Sequence, residues 1–482
     1  MTEHPGPAGS AAARRRFLAP LALAQFICSF AGSNMNVMIN DISEDLDTTV
    51  TGVQTAITLF LLVMAIFMIP ASKLSDRWGR KRCFTAGLLL YGLGALVSAL
   101  SPGLGVLILG NSVLEGIGTA LLIPPVYILT TMAFAEVTSR AKAFGIISGL
   151  GGLGAAAGPL IGGFITTGIS WRAAFVFQAA VVAIIIFLSR RMEDPLPADP
   201  TRPFDTVGAI LSAVGMFFVV FGILQADNDP ALLAVLLAGG AGFLLWSFLH
   251  IRARERAGRE PLLSTGLFRN RLSNLGLVTQ NIQWLVLIGT SFVVAVFLQT
   301  VRGYNAIETG VIFTSATVGI LVASLAAERL AKRRSQKTLI VAGFLVTLAG
   351  IGVLLALVGA SSRVVAFAPG LLLIGLGLGV MLTPSVNLVQ SAFPEELQAE
   401  ISGLSRSVSN LGSSFGTAIA GTILVSDLGS GNDSYVIAMI VLAALALVGL
   451  AAAIFLPANP QQQGAPTNVI AADALGTATQ HG

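Results

Sequence analysis

Apolar runs of about twenty residues alternate with short polar breaks along nearly the whole chain, the spacing expected when every run crosses a lipid bilayer as a helix. Fourteen such runs are readable, near 17–39, 51–71, 83–101, 104–126, 143–168, 173–189, 206–225, 231–249, 275–300, 310–327, 338–359, 364–386, 401–425 and 435–456. Their edges are soft, because Gly- and Ala-rich helices lack sharp hydropathy boundaries. The run after Arg14, Arg15 and Arg16 is long enough to span, so it is expected to be a first span and not a cleavable leader. Composition agrees: 54% of residues are hydrophobic and 11% charged, with a mean hydropathy of +0.83. The fold class predicted is an all-α integral membrane protein.

Basic residues orient the runs. Arg14–Arg16, the Lys73–Arg82 cluster, Arg140 with Lys142, and Arg190 with Arg191 fall in alternate loops. Arg252, Arg254, Arg256, Arg259, Arg269 and Arg271, then Arg329, Lys332, Arg333, Arg334 and Lys337, continue the series. The opposite loops hold Asp41, Glu44, Asp45 and Asp47, then Asp227 and Asp229, then Asp427 and Asp433, with only Arg172, Arg302 and Arg363 as cations. Positive residues remain inside, so both termini are expected in the cytoplasm of a multi-pass plasma-membrane protein. The basic pI of about 9.3 then reflects topology, and no nucleic-acid partner is expected. Cys28 lies mid-span and Cys83 at the cytoplasmic end of span three, too far apart to pair.

Hydrophilic interruptions divide the chain. Six spans (residues 1–195) precede a proline-rich connector at Glu193–Pro203, and two further spans follow within 196–250. The basic stretch His250–Arg271 and six more spans make up 251–457, and 458–482, with no apolar run, reads as a disordered tail.

Span five contains Gly154, Gly158, Pro159, Gly162 and Gly163, with no charge between Lys142 and Arg172. Glycines four apart share a helix face and admit a close neighbour, while Pro159 removes a backbone hydrogen bond. This array resembles the antiporter motif of the major facilitator superfamily. A second likeness lies after span two, where Leu74-Ser75-Asp76-Arg77-Trp78-Gly79-Arg80-Lys81-Arg82 is similar to that family's loop motif G-x-L-A-D-R-x-G-R-R/K-R, with Ser72 and Ser75 departing from it. The six-plus-two-plus-six order resembles the fourteen-helix drug:proton antiporter branch. Trp171-Arg172, Asp205, Leu267-Phe268-Arg269-Asn270, Gln299 with Arg302-Gly303-Tyr304, and Gly375, Gly377 and Gly379 extend the likeness over nearly the whole chain. The resemblance implies two six-helix bundles around a central cavity open alternately to either side, with Asp76 pairing with helix ends of the other half. A weak second copy of the loop motif, at Leu330–Lys337, carries Lys332 where the aspartate would stand.

One ionisable group sits deep within a span, Glu115 in the fourth, with Asn111, Ser112 and Thr119 on nearby turns. An ionised carboxylate in hydrocarbon is costly, so such an acid faces a wet cavity, carries a proton, or stays neutral between helices. The expectation is that Glu115 alternates between a proton and a substrate contact; a permanently neutral, hydrogen-bonded acid is the other reading. The family's fourth-helix R-x-x-Q-G reads Ser112-Val113-Leu114-Glu115-Gly116 here, and its first-helix acid is missing from Ala31–Asn36. Asp41 is a second proton station or a solvated loop acid.

Asn34, Asn36, Gln54, Asn111, Gln178, Asn281, Gln283 and Asn387, with Phe26, Phe30, Phe60, Trp284 and Phe292, lie on helices that line the cavity in the resembled fold. An apolar pocket with a few amides suits a lipophilic compound, weakly cationic ones included. For each of these residues helix packing or hydrogen bonding between helices is the other reading, and Arg406, near the cytoplasmic start of span thirteen, either meets an anionic substrate or snorkels. His4, His250 and His481 lie outside the spans, no metal-ligand spacing occurs and no phosphate loop is present, which argues against an enzyme or an ATP-driven pump. The sequence therefore predicts a monomeric, cofactor-free exporter of lipophilic small molecules, driven by protons. A proton-coupled importer and a non-transporting sensor are the competing classes.

Overall fold

A computed structural model describes residues 11–134, 137–192, 194, 198–201, 203–225, 229–331, 333–360, 364–393, 397–425 and 432–457. The tail from 458 and Lys332 lie outside these residues, and so do the expectations made for them. The described residues form helices and connecting turns, with no strand.

Fourteen long helices follow the hydropathy pattern. They are α1 (Ala11–Asn34), α2 (Val50–Trp78), α3 (Arg80–Ala99), α4 (Leu104–Ala133), α5 (Val137–Gly168), α6 (Trp171–Ser189) and α7 (Thr206–Leu224). The others are α8 (Pro230–Arg256), α9 (Arg271–Val301), α10 (Ala306–Ala331), α11 (Gln336–Ala360), α12 (Ala368–Gln390), α13 (Gln398–Val425) and α14 (Asn432–Ile454). Side-chain caps open several of them: Thr49 accepts from Gly52 N, Ser170 from Ala173 N, Asp229 from Ala231 N, and Asn270 from Leu272 N. Between α2 and α3, Gly79 takes φ +97°, a conformation that side chains rarely adopt, so the chain reverses there.

Among the described residues, thirteen helices are long and apolar enough to cross a membrane. The other, α13, is too rich in serine, and packing explains how that polarity is borne. Ser407 Oγ donates to Ala65 O at 2.6 Å, Ser414 Oγ to Thr58 O at 3.1 Å, and Ser405 Oγ to Gln280 Oε1 at 2.9 Å. Every hydroxyl named has a protein acceptor, so α13 faces neighbours and not lipid.

Helices α1–α6 and α9–α14 pack as two six-helix bundles with matching internal contacts. In the first, α1 meets α5 through glycine: a Cβ on Gly154 would stand 2.2 Å from Phe26 O. In the second, α9 meets α13 the same way, a Cβ on Gly412 falling 2.2 Å from Asn281 O and one on Gly416 2.3 Å from Leu285 O. The bundles meet along two seams, α2 with α13 and α5 with α10. The α7–α8 pair lies beside the first seam, α7 touching α2 and α13. Helix α8 runs farther than hydropathy indicates, to Arg256, because its polar end is held: His250 Nε2 lies 3.0 Å and Arg254 Nε 3.6 Å from the buried Asp205 carboxylate. Below, the side where α2 passes into α3 is the basic face, and the other the opposite face.

Candidate functional site

Glu115 closes a stretch of α4, Ile108–Glu115, wound with the wider π spacing. Such bulges shift the register of side chains and recur at functional positions. Its side chain is fully buried. Oε1 is 3.5 Å from Ser98 Oγ on α3, while Oε2 has no hydrogen-bond partner among the described residues. The buried amide of Asn111 lies one turn earlier, and Thr119 Oγ1, one turn later, lacks a hydrogen-bond partner among the described residues. Gly94 allows this crowding, since a Cβ there would lie 2.7 Å from Glu115 N and 2.8 Å from its Cγ. Ser112 differs from its neighbours, donating to Ala56 O on α2 at 2.7 Å. An ionised carboxylate with an unpaired oxygen in such an enclosure is costly, and taking up a proton removes that charge. The geometry therefore suits a group that holds a proton inside the first bundle.

The glycine face of span five is a packing surface for α1. Gly154 faces Phe26, Gly158 faces Phe30 and Ser33, and Gly162 faces Asn34. Gly163 and Pro159 serve the other bundle: a Cβ on Gly163 would be 2.4 Å from Ala306 O, and one on Gly310 2.3 Å from Pro159 O. One short segment thus carries both an internal contact and a seam contact.

In the loop motif, Asp76 pairs with Arg80 at 2.5 Å, and Lys81 N donates to Asp194 Oδ2 at 3.0 Å. Arg77 is half-buried and Arg82 exposed. The resemblance implied that Asp76 reaches the other bundle; Lys73, one turn earlier, makes an ion pair across the seam. Its ammonium lies 2.8 Å from Glu400 at the start of α13 and 3.1 Å from Glu260 in the turn before α9. Glu400 also accepts from Ser264 N at 3.0 Å. In the sequence Lys73 stands only as a topology signal, since nothing local ties it to an acid 327 residues away. Lys73→Gln is expected to loosen the basic face. A cysteine at Ser72, in purified protein, should then react several-fold faster with a water-soluble maleimide; an unchanged rate would deny Lys73 that role.

On the opposite face, Gln299 links the bundles: its amide donates to Asn36 O at 2.8 Å and accepts from Asn40 N at 3.2 Å. Asp41 is half-buried there, and burial pushes its carboxyl above the ordinary range. Asp45 accepts from Arg172 and, at 3.0 Å, from Trp171 Nε1, while Arg172 also donates to Ser101 O at 2.9 Å. The Arg172 hydrogen bond holds the Asp45 carboxyl below its usual range. This pair's stabilisation is complete above the unfolded carboxylate value of about 4 and is lost as pH falls through the lower folded one. Thermal unfolding should show a small acid-side loss that Arg172→Gln removes, small because both partners are half-exposed.

The remaining polar residues lie in different parts of the fold. Gln54 on α2 donates to Thr417 O at 3.3 Å and Ala418 O at 3.2 Å, within the seam. Gln178 accepts from Tyr91 at 2.5 Å inside the first bundle, and Gln283 accepts from Ser385 at 2.9 Å inside the second. Asn34 is buried with neither amide atom bonded among the described residues; Asn36 is buried near Gln299, and Trp284 is half-buried.

Two helical bundles joined along paired seams, each bundle repeating the other's internal contacts, define a polytopic membrane protein with a transporter's architecture. The model of the Major Facilitator Superfamily matches residues 21–417 and 278–477, and the chain belongs to that family. It is similar to the puromycin resistance protein pur8 of Streptomyces alboniger, 28% identical over 412 residues that cover 84% of this chain and 81% of the relative. It is also similar to the tetracenomycin C resistance and export protein of Streptomyces glaucescens, 29% identical over 400 residues covering 80% and 72%. The multidrug efflux pump LfrA of Mycolicibacterium smegmatis is 27% identical over 417 residues covering 86% and 82%. Among solved structures, a peptide transporter POT in complex with sulfate shares the fold, with a TM-score of 0.67, 18% identity, and coverage of 92% of this chain and 95% of that one.

Proposed function

We propose that this protein is a proton-driven exporter of lipophilic small molecules, a transporter and not an enzyme. Membership of the Major Facilitator Superfamily and relatives named for drug resistance, export and efflux support this reading. The basic face is assigned to the cytoplasm, with both termini there, in the plasma membrane. A single copy acts, its two six-helix halves (1–195 and 251–457) rocking about the seams while 196–250 rides beside them.

The observation that carries proton coupling is Glu115, a fully buried carboxyl with one oxygen unpartnered among the described residues. Its neighbours Gly94, Ser98 and Asn111 belong to the first bundle, so the proton acts on how α3 and α4 pack. The bundle's shape, and through it the seams, then passes the effect to the substrate. Asp41 is the candidate for a second, outer station. Lys73 with Glu400, and Gln299 with Asn36, are the contacts that break in turn as access alternates.

Inverted membrane vesicles holding the protein should accumulate ethidium when their lumen is acid. Accumulation should collapse when an uncoupler equalises the pH. Accumulation that persists after collapse would contradict proton drive, and none under either pH orientation would contradict export.

A further inference from the structure

Arg406 stands out for the company it keeps. It lies eight residues into α13, about 12 Å along the helix axis from its first residue. The guanidinium donates to the hydroxyl of Tyr127 on α4, and its Cζ sits 4.5 Å from that ring's centroid. Tyr127 in turn donates to Gln25 Oε1 at 3.4 Å, and Gln25 Nε2 to Ser29 Oγ at 3.3 Å. This row of groups crosses the seam between bundles, and apart from Arg406 all of them are neutral.

Other arginines are neutralised: Arg80 by Asp76, Arg172 by Asp45, and Arg254 by Asp205. No carboxylate among the described residues lies within ion-pair distance of Arg406. The acid nearest along its own helix, Glu400, is already engaged by Lys73 and Ser264 N. One turn beyond Arg406 on the same face, Asn410 is half-buried, and its amide has no hydrogen bond among the described residues. A planar fork of five donors, only part of it used and with no counter-charge, is matched by an oxyanion. A half-buried guanidinium with no counter-charge gains from a ligand that supplies one.

We infer that Arg406 and Asn410 form an anion-recognising subsite at the seam, taking aromatic compounds that bear a carboxylate or an acidic phenol. The inference rests on the exporter reading, for which it names a substrate class. Because Tyr127 belongs to the other bundle, an anion that takes the guanidinium from it also releases a contact across the seam.

The test uses the full chain in lipid nanodiscs with anthracene carboxylate, its methyl ester and an aminomethyl anthracene as fluorescent probes. The carboxylate should bind about tenfold more tightly than the ester, as one charge-assisted pair allows. Arg406→Gln should remove that margin and Arg406→Lys restore part of it. Tyr127→Phe, which frees the guanidinium, should leave carboxylate binding as tight or tighter. Equal binding of carboxylate and ester, no carboxylate binding, or a margin that survives in Arg406→Gln would overturn the subsite; so would equal weakening of every probe by Arg406→Gln and Tyr127→Phe, the mark of a structural role. Loss of the margin with pH-driven ethidium movement intact in wild type supports the subsite. Wild-type protein that shows the margin yet moves no probe under any pH gradient overturns export and leaves the subsite standing.

Discussion

Glu115→Gln is expected to abolish uphill, pH-driven accumulation of ethidium in inverted vesicles while leaving the protein folded and in the membrane. The substitution keeps the size and the hydrogen-bonding reach toward Ser98, which stands 3.5 Å from the carboxyl, and removes only the ability to exchange a proton. A coupling group lost in this way removes the drive and spares the pathway, so downhill exchange of ethidium should persist. Glu115→Asp, shorter by one methylene, should retain a fraction of the activity. Normal accumulation by Glu115→Gln would remove Glu115 from the coupling mechanism.

Gly154→Ala carries the second large effect. Its new methyl group would stand 2.2 Å from the carbonyl oxygen of Phe26, a backbone atom that cannot swing aside as a side chain can. Helix α5 must then back away from α1, with a cost of about 1–3 kcal/mol for overpacking. Since the same segment holds α10 through Gly163 and Pro159, transport should fall with stability. Gly149→Ala on the same helix is the control: nothing lies within 4 Å of its new methyl, and alanine favours a helix by about 1 kcal/mol. Thermal unfolding in detergent should show the first variant destabilised and the second unchanged or stabilised. Similar shifts for both would mean that the glycine face is not a tight contact.

Much of the fold was legible because hydrocarbon imposes one periodicity on every span. The fourteen runs and the glycine face of span five follow from residue type alone, as does the isolation of Glu115. What was not legible came from contacts between distant segments. The counterpart glycines Gly412 and Gly416 sit in a serine-rich helix and look like part of its polarity until α9 is placed against them. Lys73 and Glu400 are separated by most of the chain, and each alone is an ordinary charge near a membrane surface. The scattered amides show that composition does not tell which partner a group takes. Gln178 and Gln283 have the composition of a pocket, yet each spends a hydrogen bond within its own bundle, on Tyr91 and Ser385. The widened turn before Glu115 has no sequence signature, since Ile108–Glu115 would read equally well as ordinary helix.

Coupling through a shared conformational equilibrium is reciprocal: if protonation of Glu115 changes affinity for the transported compound, binding of that compound must change affinity for the proton. Purified protein in weakly buffered solution, titrated with ethidium while pH is followed, measures this directly. Wild type should release protons in a saturable way, and Glu115→Gln, binding ethidium, should release none. Identical release from both proteins, or binding by wild type with no release across the pH range in which it transports, would contradict proton exchange at this carboxyl.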